Sequence, residues 1–359
     1  METKIVDHVY PLFEAVNLLH AYVNETPAER LTSQEDLALR PEQLRALTDT
    51  CCAGMDRTQP ALQYYFKDRP IEAGNGPYCM AFAMVYSFML WKHPAFDAHI
   101  AALDAYWQAL QTRGYRIRSV SKMGLFIMED PSKKGVPLAS QVYSLDISAA
   151  ERLELIEVFT NYSAHLEKLR LLLEPVVSRM EEALKAFQTQ RTALTEAWQT
   201  FFSQCPVEQY LEQRGRIALA AETDRVVVAF SLADSWFLGG DFRDRDFFLY
   251  IGSGQPRSTK VGSRGSGILN DGELDAMKLL GDQNRLSLLR ILCKERSYCL
   301  ALSQKLNLNA GTVSRLLTGL CDVGLLDAEL EGSRTYYRTN DALLESLFRN
   351  ILRYIRQED

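Results

Sequence analysis

The sequence predicts a mainly α-helical chain, with a helical N-terminal part carrying a small β element and a compact C-terminal part of helices closed by a strand hairpin. Three observations predict it. Apolar residues recur at intervals of three and four along most of the 359 residues. Residues 252–267, GSGQPRSTKVGSRGSG, interrupt that pattern with glycine, serine and three cations (Arg257, Lys260 and Arg264) and no acid. After them the helical spacing resumes and gives way once, around Gly332, to alternating strand-like sequence. The expected divisions are 1–251, a flexible basic linker over 252–267, and 268–359.

In chain order, His8 to Asn24 places Val9, Leu12, Phe13, Val16, Leu18 and Leu19 on an amphipathic helix. Pro41 to Cys52 is a helix with proline in its first turn. Tyr78 to Trp91, the longest apolar stretch, is too short to cross a bilayer and reads as a buried helix. Ala95 to Arg113 is a further helix, stopped by Gly114, and Arg116 to Glu129 fits helix or strand. From Ser148 to Phe202 a seam of Leu155, Phe159, Tyr162, Leu166, Leu169, Leu173, Val176 and Met180 alternates steps of four and three. It fits a dimer coiled coil or a helix packed within its own domain, kinked or split at Pro175. Arg216 to Ala220, Arg225 to Phe230 and Asp246 to Ile251 read as short strands. The run from Asp241 to Asp246, DFRDRD, reads as a solvated loop, the alternative being a site for a cation or polar ligand.

Composition bounds the function. With 47% hydrophobic and 24% charged residues the chain is globular, and its net charge of −6 argues against indiscriminate coating of nucleic acid. Seven cysteines without a framework spacing, and a start, METKIVD, unlike a signal peptide, predict a cytoplasmic protein with no membrane partner. No nucleophile elbow, phosphate-binding loop or zinc-protease pair occurs, so neither an enzyme nor a cofactor is expected. His8, His20, His93, His99 and His165 are scattered, without metal-ligand spacing. Cys51 and Cys52 either fill the end of an apolar helix or offer thiolates to a soft metal or oxidant. Aromatics around Tyr64, Tyr65, Phe66, Tyr78, Tyr86, Phe88, Trp91, Trp236 and Phe237 form core, or line a pocket for a small effector.

The C-terminal part reads element by element. Glu273 to Gly281 is a short helix. Asp282 caps a second, whose buried face is Leu286, Leu289, Ile291, Leu292 and Cys293. Tyr298 to Leu306 is a third; LNLNAG follows as a turn, with Leu308 as an apolar plug and Asn309 as the cap of a fourth helix, Ala310 to Val323. That helix buries Val313, Leu316, Leu317, Leu320 and Val323 and exposes Gly311, Thr312, Ser314, Arg315 and Thr318, groups of the size and polarity that reach phosphates and base edges. Gly324 ends it. Two strands then run from Leu325 to Thr339 around Glu331, Gly332 and Ser333, with Arg334 near the tip and Tyr336, Tyr337 and Arg338 behind it. An amphipathic helix from Asp341 to Arg356 closes the part with Leu343, Leu344, Leu347, Phe348, Ile351, Leu352 and Ile355.

Over this last quarter of the chain the segments GDQNRLSLLRIL, LSQKLNLNAGTVSRLLTGLCDVGLL and EGSRTYYRTND, in that order and spacing, resemble the ArsR-type winged helix-turn-helix transcriptional regulators. The resemblance implies a homodimer joined through its first and last helices, with two recognition helices on a pseudo-palindromic double-stranded DNA operator. The DNA-contact candidates are Asn309, Gly311, Thr312, Ser314, Arg315, Thr318, Arg334, Tyr336 and Arg338. The family's metal ligands do not carry over: the third helix has only Cys299, and the last has no histidine. From Gly267 onward basic and acidic residues nearly cancel, so positive charge beside DNA would come partly from the linker. The expected function is a DNA-binding regulator, a repressor, whose N-terminal part receives an unidentified small-molecule or protein signal or oligomerises. The alternatives are a winged helix used to bind protein, and an N-terminal enzyme that regulates its own gene.

Overall fold

The computed structural model describes the chain except residues 34, 70–77, 122–123, 144, 146, 216–218, 220–221, 244, 259–270, 332–333 and 357–359. Helix accounts for 59% of it, so the chain is mainly α. The described residues fall into two compact units, 1–258 and 271–356. Among them no helix is long and apolar enough to cross a membrane.

The first unit runs β1 (Glu2–Ile5), α1 (Pro11–Val23), α2 (Ala28–Leu31), α3 (Pro41–Cys51), α4 (Pro60–Phe66), α5 (Met80–Val85) and α6 (Phe96–Arg113). The hairpin β2 (Tyr115–Ser121) and β3 (Gly124–Glu129) follows, then α7 (Leu138–Val142), α8 (Ala149–Thr160), α9 (Tyr162–Ala183), α10 (Gln188–Gln204) and α11 (Val207–Tyr210). It ends with β4 (Arg225–Ser231), β5 (Leu238–Arg243) and β6 (Asp246–Gly252). The ambiguous stretch from Arg116 is thus an antiparallel strand pair, whereas the strand expected over Arg216 to Ala220 lies largely outside the described residues.

A four-stranded sheet in the order β1-β4-β6-β5 organises this unit, with β1, β4 and β6 parallel and β5 antiparallel to β6. Val226, Val228, Phe230, Phe247, Leu249 and Ile251 face Leu194 and Trp198 of α10 and Val207 and Tyr210 of α11. On the other face Phe248 lies 5.3 Å from Tyr10 and Tyr250 lies 5.2 Å from Phe13, ring centre to ring centre. Covered on both faces, the central strands read as continuous apolar runs. The sheet also takes in two segments that the sequence hides. The edge strand β1 exposes Glu2, Thr3 and Lys4, and in β5 Leu238 is followed by a Gly239-Gly240 pair that looks like a turn. Gly240 is required there, because a Cβ would stand 2.5 Å from the Phe248 carbonyl oxygen.

Four further expectations are corrected. The Asp241 to Asp246 run is no solvated loop: Asp241 lies in β5 paired with Arg243, burial pushes its carboxyl up to about 6, and Arg243 donates to the Phe88 carbonyl at 2.8 Å. Helix α1 is buried nearly all round rather than amphipathic. The apolar stretch from Tyr78 is buried but helical only over α5, since Ser87 donates back to the Ala83 carbonyl and accepts from Leu125 N–H of β3. Residues 252–258 are packed, not a flexible tether: Ser253 and Gly254 donate to Ser231 and Ser235, and Arg257 is held by Asp36 at 2.5 Å. Lys260 and Arg264 lie outside the described residues.

The seam residues from Leu155 to Met180 are buried within this one unit, where α9 packs against α1, α3 and α6. Breaks fall at Asn161 and after Ala183, while α9 continues through Pro175. The carbonyl that Pro175 leaves without its helical donor belongs to Leu171, on the exposed side of α9, where water can serve it.

Glu14 makes the burial of α1 possible. Its carboxylate, 1% exposed, accepts from the backbone N–H of Leu232 at 3.1 Å and Ala233 at 2.7 Å, and from the Tyr250 hydroxyl at 2.5 Å. Burial raises its pKa, and these donors oppose the rise. Glu14→Ala strands three buried donors and should lower the unfolding free energy of the first unit by about 3 kcal/mol or more. Urea denaturation followed by tryptophan fluorescence measures this, and an unchanged midpoint would refute it.

The second unit runs α12 (Asp271–Leu280), α13 (Gln283–Leu292), β7 (Ser297–Tyr298), α14 (Cys299–Leu306), α15 (Ala310–Asp322), β8 (Leu326–Glu331), β9 (Arg334–Thr339) and α16 (Asp341–Arg356). Its core joins Ala276, Leu288, Leu289, Leu292, Leu302, Val313, Leu317, Leu320, Leu325 and Leu347. Asp282 caps α13 by accepting from Arg285 N–H at 2.9 Å. The buried stripe of α13 is Leu288, Leu289 and Leu292, so Leu286 and Cys293 turn outward, against expectation. Ser297 and Tyr298 form an unexpected third strand, giving a sheet in the order β7-β9-β8.

Candidate nucleic-acid interface

The nine candidate residues belong to α15, its cap and the β9 strand. Helix α14 ends at Asn307, which adopts left-handed φ 52 and ψ 43 and lets Leu308 N–H bond back to Ser303 at 3.0 Å. Leu308 is thereby packed against the core. Asn309 then caps α15, its side-chain oxygen accepting from Gly311 N–H at 2.7 Å. This bond occupies the Asn309 oxygen, so the residue's first role is to start the helix.

Along α15, Val313, Leu316, Leu317 and Leu320 are buried, whereas Gly311, Ser314, Arg315 and Thr318 are exposed and Thr312 is half-buried. Val323, expected in the core, is partly buried at its edge. Thr318 donates to the Ser314 carbonyl at 3.0 Å, which holds its methyl and hydroxyl in one orientation. Four short or cationic groups thus stand on one side of a helix whose opposite side is fixed in the core. Gly324, at φ 74, ends the helix and starts β8.

On β9 the candidates divide. Tyr337 packs against the core, with its hydroxyl pKa raised by burial and by Cys321 and Cys299. Tyr336, on the opposite side of the strand, meets Tyr298 edge-on at 5.5 Å, and the Arg296 guanidinium lies 5.2 Å from its ring centre. Arg338 is exposed, and its partner in the ladder is Asp327. Arg334 is paired in register with Glu331; its side chain lies outside the described set.

Cys299 is half-buried, and its thiol, raised in pKa by burial, donates to the Ala310 carbonyl at 3.3 Å. No group of three or more His, Cys, Asp or Glu side chains that could hold a metal occurs among the described residues.

No family model and no curated protein matches the chain. Among solved structures it is similar to a homodimeric winged helix-turn-helix DNA-binding domain from Mycobacterium bovis, described as a possible ArsR-family transcriptional regulator. The identity is 27%, over 23% of this chain and 78% of that one, with a TM-score of 0.21. It is also similar to a fragment of a possible transcriptional regulatory protein from the same organism, at 27% identity over 23% of this chain and 90% of that one, with a TM-score of 0.21. A third is reduced HlyU from Vibrio cholerae, at 20% identity over 23% of this chain and 87% of that one, with a TM-score of 0.20.

The turn before α15 yields a direct test. Asn307→Gly should leave the stability of the second unit nearly unchanged. Asn307→Ile forces a β-branched side chain into left-handed backbone and should cost about 1–2 kcal/mol or more. Paired thermal melts decide between them, and equal melting temperatures would contradict the assigned conformation.

Proposed function

We propose that the chain is a DNA-binding transcriptional regulator whose second unit is a winged helix-turn-helix head of the ArsR type, with α15 as recognition helix and the β8–β9 hairpin as wing. The observation that carries this reading is the exposed set Gly311, Ser314, Arg315 and Thr318 on one side of α15, presented by the tight Asn307–Asn309 turn from α14. A helix of this kind enters a major groove with its first turns leading. Arg315 then reaches a guanine edge or phosphate, and Ser314 and Thr318 meet the backbone or neighbouring bases. The action is occupancy of an operator, as a repressor, with the first unit as signal input or oligomerisation module. No chemistry is assigned to the first unit.

The acting species in this reading is a homodimer. Helix α16 exposes Phe348 at 49%, Leu352 at 48% and Ile355 at 68%, spaced four and three apart, and α12 adds Leu274 and Met277 at 38% and 37%. The two helices are tied by Asn350 donating to Glu273 at 2.6 Å. Apolar side chains in such a row suit a second copy of the same surface, which makes a two-fold pair and sets two α15 helices against one operator.

Two outcomes are expected. Genomic fragments selected by the purified protein should show a footprint that Arg315→Ala abolishes while leaving the oligomer intact; persistence of the footprint would remove α15 as the reading element. In sedimentation equilibrium the wild type should be a dimer, and Leu352→Glu combined with Ile355→Glu a folded monomer by circular dichroism. A wild-type monomer, or a dimer unaffected by these changes, would overturn the assigned interface.

A further inference from the structure

We propose that the outer edge of β1 is an interface for a second copy of this chain, on which two β1 strands pair antiparallel about a two-fold axis through Thr3. The surface belongs to the first unit and does not depend on the DNA-binding reading; it adds to the α16 contact of the dimer proposed above. Strand β1 is an outer strand of its sheet, and Glu2, Thr3 and Lys4 are exposed. Toward β4 the ladder uses alternate residues: Glu2 N–H donates to the Asp224 carbonyl and Val6 N–H to the Val228 carbonyl, each at 2.9 Å. Thr3 and Ile5 therefore turn their amides and carbonyls to the open side. A two-fold axis at Thr3 lets each Thr3 donate to and accept from its counterpart, and each Ile5 amide reaches the Met1 carbonyl of the other copy.

The side chains select this register. Pairing about Thr3 sets Glu2 of each copy directly across from Lys4 of the other, in the non-hydrogen-bonded positions where opposed side chains stand closest. Pairing about Glu2 or about Lys4 opposes like charges, and pairing about Ile5 sets Lys4 against Val6 with no ion pair. Charged edge strands commonly guard a sheet against pairing. Such a guard repels its own copy, whereas Glu-Thr-Lys read in reverse is its own complement. The rest of the sheet prepares the same row. Arg225 is in register with Glu2 on one side and with Asp246 on the other, and it bonds Asp246 at 2.5 Å, so acid, base and acid run across the strand starts on one face. Lys4 of the second copy falls next to Glu2 and extends that alternation. Four residues a side are too few to hold two copies alone, but copies already joined through α16 meet this edge at a high effective concentration.

The test measures the dimer dissociation constant of the full chain by sedimentation equilibrium at low and high salt. Lys4→Glu opposes like charges twice and should weaken the dimer by about tenfold at low salt, an effect that fades at high salt. Adding Glu2→Lys restores opposite pairs and should recover most of the affinity. Thr3→Pro removes an amide that faces the second copy and spares the bonds to β4, so it should weaken the dimer at both salts. Thr3→Cys should give an oxidant-dependent covalent dimer that Lys4→Cys and the wild type do not, because only the two Thr3 positions face each other across the axis. Melting temperatures establish that each variant is folded. If Lys4→Glu and Thr3→Pro keep the wild-type constant and Thr3→Cys does not cross-link, this inference falls and the α16 interface stands. If the combined Leu352→Glu and Ile355→Glu variant stays dimeric and Lys4→Glu dissociates it, the α16 interface falls and this inference stands. A wild-type monomer at every concentration overturns both.

Discussion

What α15 buries determines what it can present. Val313, Leu316, Leu317 and Leu320 lie in the core of the second unit, and a helix has about 3.6 residues per turn, so residues 311, 314, 315 and 318 have only the outer side left to them. The helix cannot slide or rotate, because left-handed residues fix both ends: Asn307 before it and Gly324 after it. Gly324 N–H returns to the Cys321 carbonyl at 2.8 Å, and Leu325 N–H returns to Leu320 at 2.8 Å, so β8 leaves the helix in one direction. The position of the hairpin follows from that exit. Ser297 and Tyr298 then pair with Tyr337 and Tyr336, which ties the start of α14 to the same sheet.

The first unit depends on a different constraint, the satisfaction of polar groups taken out of water. Glu14 would be an isolated buried charge without the Leu232 and Ala233 amides and the Tyr250 hydroxyl. Other polar groups follow the same logic: Tyr162 donates to the Met84 carbonyl at 2.7 Å, Trp107 to the Phe159 carbonyl at 2.9 Å, and Tyr65 is bonded to His165 at 2.7 Å. Each bond joins segments far apart in sequence and lets helices pack where an apolar stripe alone would not place them. Burial also raises the Cys51 and Cys52 thiols to about 11 and about 12, which keeps them protonated and favours their role as core filler over soft-metal or oxidant chemistry.

These constraints explain which parts of the structure were legible in the sequence. Helices of the second unit were legible because each combines a one-sided apolar stripe with a cap: Asp282 for α13, Asn309 for α15 and Gly324 for the end of α15. The small-residue face of α15 was legible for the same reason. Helix α1 departs from expectation because Glu14 and Asn17 look like a solvent face in the sequence, whereas the distant Ala233 amide and Tyr86 hydroxyl donate to them in the interior. The strand β5 was hidden by glycines whose purpose is close approach to β6. The seam along α9 was visible, but periodicity cannot say whether the partner is another copy or α1, α3 and α6 of the same chain. Packing of residues 252–258 was illegible because their glycines and serines are held by backbone bonds to β4 and its following loop, which leave no side-chain pattern.

Charge links the polar face of α15 to the apolar stripe of α16. Residues 271–356 contain twelve Lys and Arg against eleven Asp and Glu, so a general positive field cannot hold this unit on DNA. Under the proposed reading, attraction would come from a few placed cations, Arg315 foremost. With so few phosphate contacts, counterion release would contribute little to the affinity of one copy. Joining two copies doubles the contacts and converts the second docking into an intramolecular event. In the proposed reading Phe348, Leu352 and Ile355 serve the same end as Ser314, Arg315 and Thr318, because a nearly neutral head that binds in pairs would gain affinity that one copy lacks.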